Sequence, residues 1–140
     1  MATISNVRDG LAARLNTISG LHVYDEWPDT ITPPAALIRP ASAQYEQTFG
    51  SDWATMQIEV LVVVGLKAGL ANAERALEPY ISNTGTSSIR VAVAADRTLA
   101  LSGTGTVRGT FVRGWRNYDV LTIGESDYLG ATIDIECEMS

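Results

Sequence analysis

The sequence has one cysteine, Cys137, and one histidine, His22, among its 140 residues. A lone cysteine forms no internal disulfide, so the fold has to rest on a hydrophobic core rather than on covalent staples. Cys137 falls on the apolar phase of an alternating segment, where a thiol acts as a small buried hydrophobe, not a nucleophile. Any serine or cysteine triad must use His22, yet no serine sits in a nucleophile elbow. Gly124-Glu125-Ser126-Asp127 lacks the second glycine of that motif and reads as a turn. No apolar run approaches the ~18 residues that span a bilayer. The stretch MATISNVRDG places no basic segment before an apolar one, so neither a membrane anchor nor a signal peptide is expected.

Basic residues are missing from one region. Up to Arg116 ten acids balance ten bases, whereas Asn117 to Ser140 holds Asp119, Glu125, Asp127, Asp134, Glu136 and Glu138 with no base. The net charge of −6 therefore belongs to the C-terminal hairpin region. Affinity for DNA comes largely from Lys and Arg neutralising phosphate, so this balance argues against a nucleic-acid binder that grips phosphate. It permits a surface that DNA passes without sticking.

With 46% hydrophobic and 19% charged residues the composition is that of an ordinary globular protein, and the length fits one domain over 1–140. Two long alternating segments dominate it. From Trp53 to Val64 the even positions Ala54, Met56, Ile58, Val60, Val62 and Val64 are all apolar, while Thr55, Gln57 and Glu59 are polar. From Tyr128 to Met139 the odd positions Leu129, Ala131, Ile133, Ile135, Cys137 and Met139 are apolar, against Thr132, Asp134, Glu136 and Glu138. A period of two marks strands with one face in a core.

Ile4, Val7, Leu11, Leu15 and Ile18 recur at helical spacing, with Thr3 or Ser5 as cap and Gly20 as stop. Leu21 to Trp27 reads as a short strand, followed by a turn at Pro28-Asp29. Pro33-Pro34 rules out a central position for the start of the next strand, Ala35 to Arg39, which Pro40 is expected to end. Residues 41–52 form a long loop or a projecting hairpin arm. Tyr45, Gln47 and Phe49 share one phase there, so the two rings either project together or fold back on the core. Two helices follow, one on Leu70, Ala73, Leu77 and Tyr80 or Ile81 with Pro79 near its end, the other capped by Ser87 or Ser88 and ending around Asp96. Strands are then expected at Val107 to Val112 and Tyr118 to Ile123, within a long hairpin region at 107–139. The order α-β-β-β-α-α-β-β describes an α+β fold: one mixed or antiparallel sheet with helices packed on one face.

Convergent chemistry is scarce. Gly103, Gly105 and Gly109 imitate a phosphate loop, but the spacing is wrong and a strand follows rather than a helix, so no helix dipole is available. Glu59, Asp134 and Glu136 can ligate a hard cation if the two long strands are neighbours; otherwise they form a solvated acidic face. Arg108 and Arg116 share one strand phase and Arg113 takes the other. These arginines either meet the acidic segment of another copy head to tail or pair within their own sheet. No enzyme activity, metal or cofactor is expected.

Several segments in this order resemble the tail terminator proteins of long-tailed, siphovirus-type bacteriophages, particularly those infecting actinobacteria. The likeness lies in VRDGLAARL, GLHVYDEWPDTITPPAALIRP, YEQTFGSDWATMQIEVLVVVG, AERALEPYISNTGTSSIRVAVAADRTL and YLGATIDIECE, which together cover nearly the whole chain. The resemblance implies a structural virion protein, made in the host cytoplasm, whose hexameric ring caps the finished tail tube and offers a docking surface to the head connector. Its partners would be other copies of itself, the tail-tube protein and the connector or stopper, with DNA passing through the lumen. On this reading Gln57, Glu59, Asp134 and Glu136 face the lumen, where like charge repels phosphate. Tyr45, Gln47, Phe49, Trp53, Arg108, Arg113 and Arg116 are then candidates for contacts between subunits or with tube and connector. Another neck protein or the tail-tube subunit is the neighbouring alternative. A small ligand-binding or enzymatic α+β domain, which needs a pocket with convergent polar groups, is the alternative of a different class.

Overall fold

The computed structural model describes residues 3–45, 53–67, 69–99 and 107–139. Chain order is α1 (Ile4–Leu15), β1 (His22–Tyr24), β2 (Ala35–Tyr45), β3 (Ala54–Gly65), α2 (Leu70–Ile81), α3 (Ile89–Ala95), β4 (Val107–Ile123) and β5 (Ser126–Met139). The strands make one mixed sheet in the order β1-β2-β3-β5-β4, parallel only between β1 and β2. All three helices pack on one face, as the alternation of the two long strands requires, and the α+β class follows.

β3 and β5 are neighbours because each carries an unbroken apolar row. Their register sets Met56 against Cys137, Ile58 against Ile135 and Val60 against Ile133, all buried. Onto this row pack Val7, Leu11 and Leu15 of α1, Ala73 and Leu77 of α2, and Ile89, Ala92 and Val93 of α3. Thr3 caps α1 by accepting from the Asn6 amide at 3.1 Å. Buried Ser88 caps α3 through the Val91 amide and donates to the Ser82 carbonyl, tying the two later helices together. Ile4 and Leu70 lie on the expected apolar stripes but are half exposed, each beyond the edge of the sheet's cover. α1 ends at Leu15, short of the Gly20 stop; the chain tightens into turns through Ile18 before Gly20 takes φ +83°.

Four expectations need correction. The first strand is His22–Tyr24, not Leu21 to Trp27, because it finds only Ala35 to Leu37 as parallel partners. The start of β2 is internal despite Pro33-Pro34: those residues precede the ladder, and the Pro34 carbonyl accepts from the His22 amide at 2.9 Å. Pro40 does not end β2, which runs to Tyr45. Among the described residues no strand lies on that edge beyond Leu37, so a missing N–H leaves no partner there unsatisfied, and a bulge between Pro40 and Ser42 absorbs the irregularity. Residues 41–45 of the supposed arm therefore belong to the sheet, and 46–52 lie outside the described residues.

The fourth correction matters most. Val107 to Val112 and Tyr118 to Ile123 are not separate strands but one 17-residue strand, β4, with register shifts at Val107/Gly109, Val112/Gly114 and Arg116/Asp119. Asn117 takes φ +57° inside the last shift, a conformation Asn tolerates better than most residues. A two-residue connection, Gly124-Glu125, closes the hairpin between Ile123 and Ser126, with Gly124 supplying φ +63°.

The face of the sheet away from the helices divides in two. At one end Ala35, Leu37, Val63 and Tyr128 form a second buried cluster, covered by Tyr24 and Ile31 as the chain leaves β1. The other end is polar.

Candidate functional site

On that polar end the register sets Glu59 opposite Asp134 and Gln57 opposite Glu136, so all four residues share one face, each half-buried. β4 brings arginines to them. Arg116 Nη2 meets Glu59 Oε1 at 2.5 Å, and its Nε meets Asp134 Oδ2 at 3.0 Å. Arg113 pairs with Glu136, which also accepts from Gln57 Nε2 at 3.3 Å, and Arg108 Nη1 lies 3.9 Å from Glu138. The three arginines thus stand on a single face. Simple alternation would put Arg113 opposite the other two, but the shift between Val107 and Gly109 brings it onto their face and the shift between Val112 and Gly114 keeps Arg116 there.

This face is a ladder of opposite charges rather than a run of bare carboxylates. Hydrogen bonding to Asp134 is the main influence holding the Arg116 guanidinium above its ordinary pKa, with the charges of Asp134 and Glu59 adding to it. Arginines answer Glu59, Asp134 and Glu136, and among the described residues no group of three acids, cysteines or histidines is arranged to hold a metal ion. Between the two possibilities open for the arginine cluster, the structure makes pairing within the sheet.

The aromatic candidates are scattered. Tyr45 ends β2 with 79% of its surface exposed, and Gln47 and Phe49 lie outside the described residues. Trp53 lies under Arg108, whose guanidinium carbon is 3.9 Å from the ring centroid. Cys137 is buried with Thr110 Oγ1 3.5 Å from its sulfur, and burial pushes the thiol pKa up. His22 is exposed on β1, separated from β5 by two intervening strands, so His22 and Cys137 form no catalytic pair. Of the glycine-rich stretch, Gly103 and Gly105 lie outside the described residues, and Gly109 is buried inside β4.

Three features escaped the sequence reading. Trp115 and Val120 on the edge strand are about half exposed, and the Trp115 ring lies 5.9 Å from that of Tyr118. Burial, then the charges of Glu74 and Glu78, push the Tyr118 phenol up. Arg90 and Arg97, near α3, share a recess of about 170 Å³ with Arg113, and the Phe111 ring lies 5.2 Å from Arg97 and 5.3 Å from Arg113. The third feature, a recess of about 600 Å³, opens at the far end of the sheet among Pro33, Tyr80, Asn72, Lys67, Asp127 and Tyr128. The signal for the first lay in GWRNYDV, where bulges broke the period that would have revealed it, and Arg90 and Arg97 meet Arg113 only through the packing of α3 on β4.

No protein-family model matches the chain, and no curated protein matches it in sequence. Among the described residues no helix is long and apolar enough to cross a membrane.

Proposed function

We propose that the chain is a structural subunit of a phage tail terminator, assembling as a hexameric ring that caps the tail tube and presents a docking surface to the head connector. The observation that carries this reading is the mismatch between sheet and helices. β4 has 17 residues and spans roughly 50 Å, whereas the 12-residue helices reach only about 18 Å. A sheet that outruns its cover leaves an open edge strand with Trp115 and Val120 exposed, which an assembling subunit can bury and a monomer cannot. The segment likeness and the arginine-carboxylate face support the same role. Gln57, Glu59, Asp134 and Glu136 are the proposed lumen residues: a face of paired charges offers DNA few free cations to bind.

Light scattering across concentration, with and without Mg²⁺, and electron microscopy of the eluted species test this. A closed ring, or capture of the protein by unfinished tail tubes, is expected. Open-ended tubes would instead indicate a tube subunit, and a monomer that tubes never capture would end the terminator reading. If charge reversal at Glu59 or Asp134 left DNA ejection unchanged, the lumen assignment would fail. The 600 Å³ recess carries the second reading, a small-ligand domain, because its size and mixed apolar and polar lining suit such a site. A small molecule that raises Tm and is displaced by Tyr80→Ala would favour it.

A further inference from the structure

We infer that copies of this chain join head to tail through the Arg90–Arg97 recess of one copy and the Gly124 hairpin turn of the next, an inference that rests on the assembling role proposed above. Charge accounting along the β4–β5 hairpin leads there. Of the six acids after Arg116, three are answered in their own chain: Asp134 by Arg116, Glu136 by Arg113 and Glu138 by Arg108. Asp119, Glu125 and Asp127, at and beside the turn, are exposed and make no ion pair among the described residues. Asp119 accepts from the Val120 amide and Asp127 from the Thr122 hydroxyl, bonds that hold the carboxylates in place without neutralising them. Lys67 shares a recess with Asp127 but forms no ion pair with it.

Seven bases make no ion pair among the described residues, and two of them, Arg90 and Arg97, stand together at the opposite end. Arg90 and Arg97 are exposed, make no ion pair among the described residues, and line one recess with Arg113. Arg97 leans on the Phe111 ring, which fixes its direction while leaving its N–H groups open to an acceptor. From Arg113 to Gly124 the strand runs roughly 30 Å, several Debye lengths at physiological salt. The two unspent charge clusters therefore cannot reach each other within one copy. Between copies they are complementary, and two different surfaces meeting in this way form a heterologous contact, which closes into a ring when the rotation per copy allows it. The recess is the right scale for one or two carboxylates, not for a folded segment.

Two charge-reversed variants make the test: Arg90→Glu with Arg97→Glu, and Glu125→Arg with Asp127→Arg. All four positions are exposed, so circular dichroism should match wild type. Sedimentation or light scattering should show each variant alone associating at least tenfold more weakly, and wild-type association should weaken as salt rises. An equimolar mixture of the two variants should regain assembly, because each recess then meets a turn of opposite charge. Unaltered assembly of either variant, or no recovery in the mixture, overturns the contact while leaving the terminator role standing. A wild type that stays monomeric up to millimolar concentration also overturns it; the terminator role falls only if unfinished tubes fail to capture the protein as well.

Discussion

Glu59 and Asp134 stand directly opposite each other in the antiparallel β3–β5 ladder, and one guanidinium, that of Arg116, binds both. Like charges facing across a ladder destabilise it. The arginine converts a repulsive pair into a bridge across three strands.

Arg116→Gln is therefore expected to lower the thermal midpoint, modestly because the site is exposed, and by less as salt is added. The sharper test is a change of sign. Glu59→Gln should lower the midpoint in the wild type, where it removes an ion pair, and raise it in the Arg116→Gln background, where it removes a repulsion. Additive effects in that double-mutant cycle would refute the bridge.

Gly130 is required by close approach rather than by backbone freedom. A Cβ there would lie 2.6 Å from Leu121 Cδ2 and 3.0 Å from the Val62 carbonyl oxygen. Leu121 can shift, but the backbone of the central strand cannot. Gly130→Ala should cost about 1–3 kcal/mol in chemical denaturation, the usual range for overpacking. A neutral result would show that β5 slides to accommodate the methyl group.

The buried row where Ile58 faces Ile135 carries the main core. Ile135→Ala removes a fully buried side chain touched from both layers and should cost about 2–5 kcal/mol. An unchanged m-value would confirm that the loss is one of stability rather than of compactness.

Asp9 of α1 and Asp25 beyond β1 share a hydrogen bond that raises the Asp9 pKa above its ordinary 3.8, with burial and the Asp25 charge adding to the shift and Arg8 opposing it. A carboxyl whose pKa is raised on folding stabilises the fold below the unfolded value, and that contribution disappears as pH climbs through the folded value. Asp9→Asn keeps a donor toward Asp25 at every pH. Its midpoint relative to wild type should accordingly rise between acid and neutral pH, and should show no advantage below 3.8. A difference that is flat with pH would rule the shared proton out.

Much of this architecture is local in origin. The period-two rows of β3 and β5, the helical spacings of α1 and α2, and the Ser88 cap are each written within a dozen residues, because a strand or helix sorts its side chains by its own geometry. That is why the α+β class, the core-facing residues of the long strands and the grouping of Gln57, Glu59, Asp134 and Glu136 on one face were legible in the sequence. The site's arginines were not. Their placement depends on the first two register shifts in β4, and a bulge arises from how one strand fits its partner, not from the strand's own pattern. The same holds for Pro40, harmless only because β1 stops pairing at Tyr24, and for Arg90 and Arg97, which become a charged recess only when α3 is laid against β4. Sequence alone determined which faces are apolar; tertiary structure decided which charges pair within the chain, since pairing across strands is a matter of distance in space.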